Sequence, residues 1–109
     1  VTVGQSLGAL TSLQLVLAHP DRVGVAVSQS ASLWREGVLD LTGSAAGARV
    51  YLEVGLQEWV LLKPNRRCAA ALVAAGADVH AVEYDGGHDQ ACWRGGIADG
   101  PAWFLRGLG

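Results

Sequence analysis

The sequence has no methionine, two cysteines, no basic block and no long apolar run. Each shortage removes a class of explanation. Without a methionine, and opening on Val1 as though inside a strand, the chain is expected to be a piece of a longer protein. Cys68 and Cys92 form no C-x-x-C pair and have no metal-type spacing, so they read as two reduced thiols. A net charge of -2 with no cluster of Lys and Arg argues against nucleic acid as a partner. The longest apolar runs, such as "GVAV" and "AAALVAA", fall far short of the roughly 20 residues that cross a membrane. Half of the residues are hydrophobic and 17% are charged, which suits one folded domain rather than a disordered chain.

The hydrophobic pattern alternates between two periods. "VTV" reads as the end of a strand that runs into the turn "GQSLG". From Ser6 to His19 the leucines at 7, 10, 13 and 17 recur at helical steps, and Pro20 with Asp21 stops the run. "VGVAVSQS" (23–30) and "ARVYLEVG" (48–55) are apolar, β-branched segments of the kind found in buried parallel strands. Residues 31–48 show no period and read as mostly loop. "KPNRRCAAALVAAGA" predicts a helix with Pro64 in its first turn and Gly76 just past its end. "DVHAVEYDGG" is a fourth strand. "GIADGPAWFLRGL" predicts a last helix, with Pro101 in its first turns. Strands separated by helices imply a parallel α/β sheet of about four strands with helices on its faces.

Gly4, Ser6 and Gly8 spell G-x-S-x-G between a strand and a helix. That turn exposes a serine, and the N–H that follows it, on Leu7, can donate to an oxyanion. The competing reading is a glycine-rich turn with a capping serine. A serine needs a base, expected on a loop after a later strand. His19 ends the first helix and His80 lies within a strand. His88 follows Gly86-Gly87 at a strand end, where open α/β sheets keep their sites. The orienting acid should fall between the two in chain order. Glu58, in the loop after Gly55, is the favoured choice, with a solvated loop charge as the alternative; Glu53, Asp40, Asp85 and Asp89 remain open.

These segments resemble the enterochelin esterase family, in the esterase-D-like branch of the α/β-hydrolase superfamily. The matching stretches are "GQSLGALTSLQLVLAHPDRVG", "SQSASLW", "LEVGLQEWVLLKPNRR" and "EYDGGHDQACWRGGIADG", and "GGHD-x-x-x-W" is the most specific piece. The resemblance implies the C-terminal half of an α/β-hydrolase catalytic domain over residues 1–109. The N-terminal half, a lid-like domain and a second oxyanion donor would then lie elsewhere, on upstream sequence or on a separate partner chain. It implies Ser6 as nucleophile, His88 as base, Leu7 as oxyanion donor and support for an acid at Glu58. The implied reaction is cytoplasmic hydrolysis of a ferric catecholate siderophore, with no cofactor and with any iron arriving on the substrate. Trp34 and Trp93 would offer flat surfaces to catechol rings and Arg94 would attract the anionic complex, with packing or solvation as the alternative for each. Trp59 and Trp103 are assigned to packing. Ala9 departs from the family, many of whose members have glycine there. Two other functions stay open: a general carboxylesterase or acyltransferase, and a non-catalytic fragment of the hydrolase fold.

Overall fold

The structure, a computed structural model, describes residues 1–33 and 45–106. Four strands, β1 (Thr2–Gln5), β2 (Val25–Gln29), β3 (Arg49–Gly55) and β4 (Asp78–Tyr84), lie side by side in that order. Every pairing is parallel. The helices are α1 (Leu7–Ala18), α2 (Trp59–Ala74) and α3 (Gln90–Arg106). The expected α/β layering is therefore present. Because the strands alternate sides, Ala26, Val50 and Leu52 face α1 and α2, where they bury Ala9, Leu13, Val16, Cys68 and Leu72. Val27, Tyr51 and Glu53 face α3, which comes close enough that a methyl at Gly100 would press on Val27 and Tyr51.

Three expectations are corrected. The buried side of α1 is Ala9, Leu10, Ser12, Leu13 and Val16, whereas Leu7 is 65% exposed. The leucine stripe has helical spacing, but the first turn sets the rotation. A side chain at Gly4 would collide with the backbone of Gly8, so strand and helix touch there and the Gly8–Ala9–Ser12 side faces the sheet. Crowding thus requires glycine at 4, while a Cβ at Gly8 would meet nothing.

Helix α2 starts at Trp59, not near Pro64, because the Glu58 carbonyl accepts from the N–H groups of Leu61 and Leu62. Pro64 sits inside the helix and forgoes one backbone bond. The other end matches expectation. Gly76, at φ 97°, lets its own N–H reach Val73 and that of Ala77 reach Leu72, the Schellman pair of bonds. Helix α3 likewise starts early, at Gln90. Asp89 Oδ1 accepts the Cys92 N–H at 2.9 Å, an N-terminal cap, and that bond holds the Asp89 carboxyl below its usual range. Pro101 therefore lies inside α3.

The aromatic stack under α3 explains His80 and Trp103. Tyr51 and His80 are paired across β3 and β4, their rings 5.5 Å apart, and Trp103 stacks on His80 at 5.8 Å. Arg49 lies over Trp103 at 4.8 Å. Among the described residues no helix is long and apolar enough to cross a membrane.

Candidate active site

All four strands end at the same edge of the sheet, and the polar residues that follow them meet there. Ser6 follows β1 with φ 56° and ψ −118°, the strained turn that lifts a side chain off a strand end. Its N–H is tied to the Gln29 carbonyl at 2.9 Å. Ser30 follows β2 and is the other non-glycine residue with positive φ among those described, at 54°. Glu58 follows β3, and His88 follows β4 by way of Gly86 and Gly87. The last two loops are fitted tightly. Gln57 N–H donates to the Gly86 carbonyl at 3.0 Å, and a side chain on Gly55 would strike that same carbonyl.

The structure brings Ser6, His88 and Glu58 into one chain of hydrogen bonds. Ser6 Oγ lies 3.1 Å from His88 Nε2, and His88 Nδ1 lies 2.6 Å from Glu58 Oε1. The Glu58 side chain is 1% exposed and that of His88 is 41% exposed. A buried carboxylate must be satisfied by donors. Glu58 Oε2 accepts from Gly55 N–H at 2.5 Å, Ser30 Oγ at 2.7 Å and Tyr84 Oη at 3.1 Å. Burial, more than the nearby Glu58 charge, pushes the Tyr84 phenol up to about 12, so it stays protonated and shares its proton between Glu58 and the Gly87 carbonyl. With one carboxylate oxygen facing Nδ1, the imidazole proton sits there and Nε2 is left as an acceptor. The arrangement can draw a proton from Ser6 and hold the resulting imidazolium.

A family model described as "Esterase: Putative esterase" matches residues 1–104. The chain belongs to this esterase family. It is 38% identical to the iron(III) enterobactin esterase of Escherichia coli strain K12 over 92% of its own length. That alignment takes in 28% of the relative, so the chain spans under a third of that protein. In three dimensions it is similar to the enterobactin esterase of Shigella flexneri in the presence of 2,3-dihydroxy-N-benzoylglycine, with a TM-score of 0.89 and 36% identity. The match covers 99% of this chain and 32% of that one. The same Shigella flexneri enzyme in the presence of enterobactin gives a TM-score of 0.85 and 32% identity, over 99% and 30% of the two chains.

Around the Ser6–His88 pair of this esterase-family chain is a cleft of about 510 Å³, lined by Ser6, Ser32, Glu58, Trp59, Val60 and His88 among others. Leu7, whose backbone N–H was the expected oxyanion donor, opens α1, where the N–H groups have no intrahelical partner. Trp93 lies edge-on to His88, ring centres 4.8 Å apart, and its Nε1 donates to Ser30 Oγ at 2.8 Å. With Arg94, Gln5, Gln90 and Ile97 it also lines a smaller groove of about 250 Å³. Trp34 and Asp40 lie outside the described residues. The other acids are engaged elsewhere: Glu53 with Gln29 at 2.7 Å, Asp85 with Gln57 at 2.8 Å, and Asp89 at the α3 cap.

Trp59 is a correction. Assigned to packing from the sequence, it is 85% exposed and stands on the wall of the cleft, because α2 begins with it. Sequence reasoning also passed over Ser30, Ser32 and Tyr84. Their signal was position: "SQSAS" ends the strand next to the Ser6 strand, and Tyr84 ends the strand before His88. Cys68 is buried, which pushes its thiol up to about 11 and keeps it protonated.

Proposed function

We propose that Ser6, His88 and Glu58 form the catalytic triad of a serine esterase that hydrolyses the ester bonds of a ferric catecholate siderophore in the cytoplasm. The observation that carries this reading is the unbroken line from Ser6 Oγ through His88 to a buried, four-donor Glu58. Ser6 attacks the ester carbonyl as His88 Nε2 takes its proton. The Leu7 N–H stabilises the oxyanion, and the helix start behind it adds a favourable dipole. His88 then protonates the leaving alkoxide, and water, activated by the same imidazole, releases the acid. Glu58 holds the ring in one tautomer.

The siderophore part of the reading draws on the enterobactin esterases to which the chain is similar and on the aromatic lining. Trp59 on the cleft wall, and Trp93 with Arg94 in the neighbouring groove, provide ring faces and a cation beside the nucleophile. In the full-length protein, a fluorophosphonate probe is expected to label Ser6, with labelling lost in Ser6→Ala. Persistent labelling in that variant removes Ser6 as nucleophile. Ferric enterobactin is expected to be cleaved faster than p-nitrophenyl esters. The reverse order, with the triad still active, points to a general carboxylesterase.

A further inference from the structure

We infer that Ser32 is a positioning residue for the nucleophile: its hydroxyl holds Ser6 Oγ in the attacking orientation. The inference rests on the reading of Ser6 as nucleophile and adds a fourth side chain to that site. Ser32 is 6% exposed and meets Ser6 twice. Its backbone N–H donates to the Ser6 carbonyl at 3.2 Å, and the two hydroxyl oxygens are 3.1 Å apart.

The direction of the hydroxyl bond follows from proton counting. His88 donates its Nδ1–H to Glu58 and offers Nε2 as an acceptor. The single Ser6 proton goes to that Nε2. Ser32 must then donate to Ser6 Oγ. This occupies one lone pair of Ser6 and leaves the other for the carbonyl carbon. During acylation the Ser6 proton moves to His88 Nε2, the Oγ–carbon bond forms and the carbonyl π pair moves to oxygen. On collapse the bond to the leaving oxygen breaks and that oxygen takes the proton from His88. Ser32 exchanges no proton; it fixes one torsion of the reacting group, which is where misplacement is costly.

Ser32 is itself held from behind. Asn65, fully buried on α2, donates Nδ2 to the Ala31 carbonyl at 3.1 Å. Ser30 N–H donates to the Glu53 carbonyl at 2.8 Å, and Ser30 Oγ grips Glu58. Three consecutive residues thus hold the acid, α2 and the nucleophile in a fixed relation. The spatial coupling does not run through His88 alone.

The test uses the full-length protein with a fluorophosphonate probe and a p-nitrophenyl ester, in Ser32→Ala and Ser32→Thr. Loss of one neutral hydrogen bond predicts a fall of about 10-fold in kcat and in the probe-labelling rate for Ser32→Ala. KM and Tm should stay near the parent values, and Ser32→Thr, which keeps the hydroxyl, should recover most of the rate. Parental kcat and labelling in Ser32→Ala overturn the inference, as does a deficit that Ser32→Thr leaves in place. Ser6→Ala is the control: labelling that survives it refutes the nucleophile assignment instead.

Discussion

The two faces of the sheet are built on different principles. Under α1 and α2 the contacts are apolar and small: Ala9, Leu13, Val16, Ala26, Val50, Leu52 and Leu72 fill one dry cluster. Under α3 a polar line runs through the packing. Gln5 Nε2 donates to Gln29 Oε1 at 2.6 Å, and Gln29 Nε2 donates to Glu53 at 2.7 Å and to the Trp93 carbonyl at 2.8 Å. Gly96 lies directly over the Glu53 carboxylate and Gly100 over Val27. The first face supplies cohesion. The second fixes the position of α3, and through Trp93 it fixes the ring of His88. Cohesion is thus concentrated on the first face, while the second aligns His88 through Trp93 and Asn65 on α2 aligns the Ser30–Ser32 segment.

That division makes quantitative claims. The largest contrast sets His88→Ala against Leu13→Ala. His88→Ala should lower kcat by about a million-fold, the scale of losing a triad base, with Tm nearly unchanged. Leu13→Ala should cost about 2–5 kcal/mol of stability, read in denaturant, while kcat per folded molecule holds. A Leu13→Ala protein that is stable but slow would dissolve the distinction.

Gly96→Ala probes the α3 face with one methyl. Its Cβ would land on the Glu53 carboxylate oxygens, which Gln29 grips from the sheet, so the strain falls on α3 as well as on that side chain. The expected cost is about 1–3 kcal/mol of stability, together with a fall in kcat because Trp93 moves with the helix. Loss of stability with no change in kcat would detach α3 packing from His88.

The smallest effect is a pH dependence. Burial raises the Glu53 carboxyl above its usual 4.5, against the pull of the Gln29 hydrogen bond, with Asp99 and Glu58 adding to the rise. A group whose folded pKa is raised binds its proton more tightly in the folded state. Its contribution is complete below the unfolded pKa and is lost as pH rises through the folded one. Glu53→Gln, which cannot ionise, should therefore gain Tm relative to the parent as pH rises from about 4 to about 7. A Tm difference that stays flat over that range would mean Glu53 is as well solvated folded as unfolded.

Much of this architecture was legible in the sequence, and the failures have two causes. Strand and helix order followed from periodicity, because buried parallel strands and amphipathic helices leave unlike patterns. The starts of α2 and α3 were misplaced because Pro64 and Pro101 were given first-turn positions, while Glu58 and Asp89, which open those helices, were read as charges near a site. Ser6, Glu58 and His88 stood out because each follows a strand and sits by glycine. Ser30, Ser32 and Tyr84 did not. A hydroxyl carries no spacing signature, and their meeting at Glu58 and Ser6 depends on strand register, Gln29 beside Glu53 and Gly55 beside Tyr84, which one strand alone does not encode.

With Ser6 as the proposed nucleophile, its positive-φ backbone sets selection for thermal robustness against selection for turnover. A non-glycine residue held there costs about 1–3 kcal/mol, and glycine would relieve it while deleting the hydroxyl. A library of this chain screened only for heat tolerance should accumulate the Ser6→Gly change and drift toward well-folded, silent proteins. Serine at that position is retained only under a screen that also counts product.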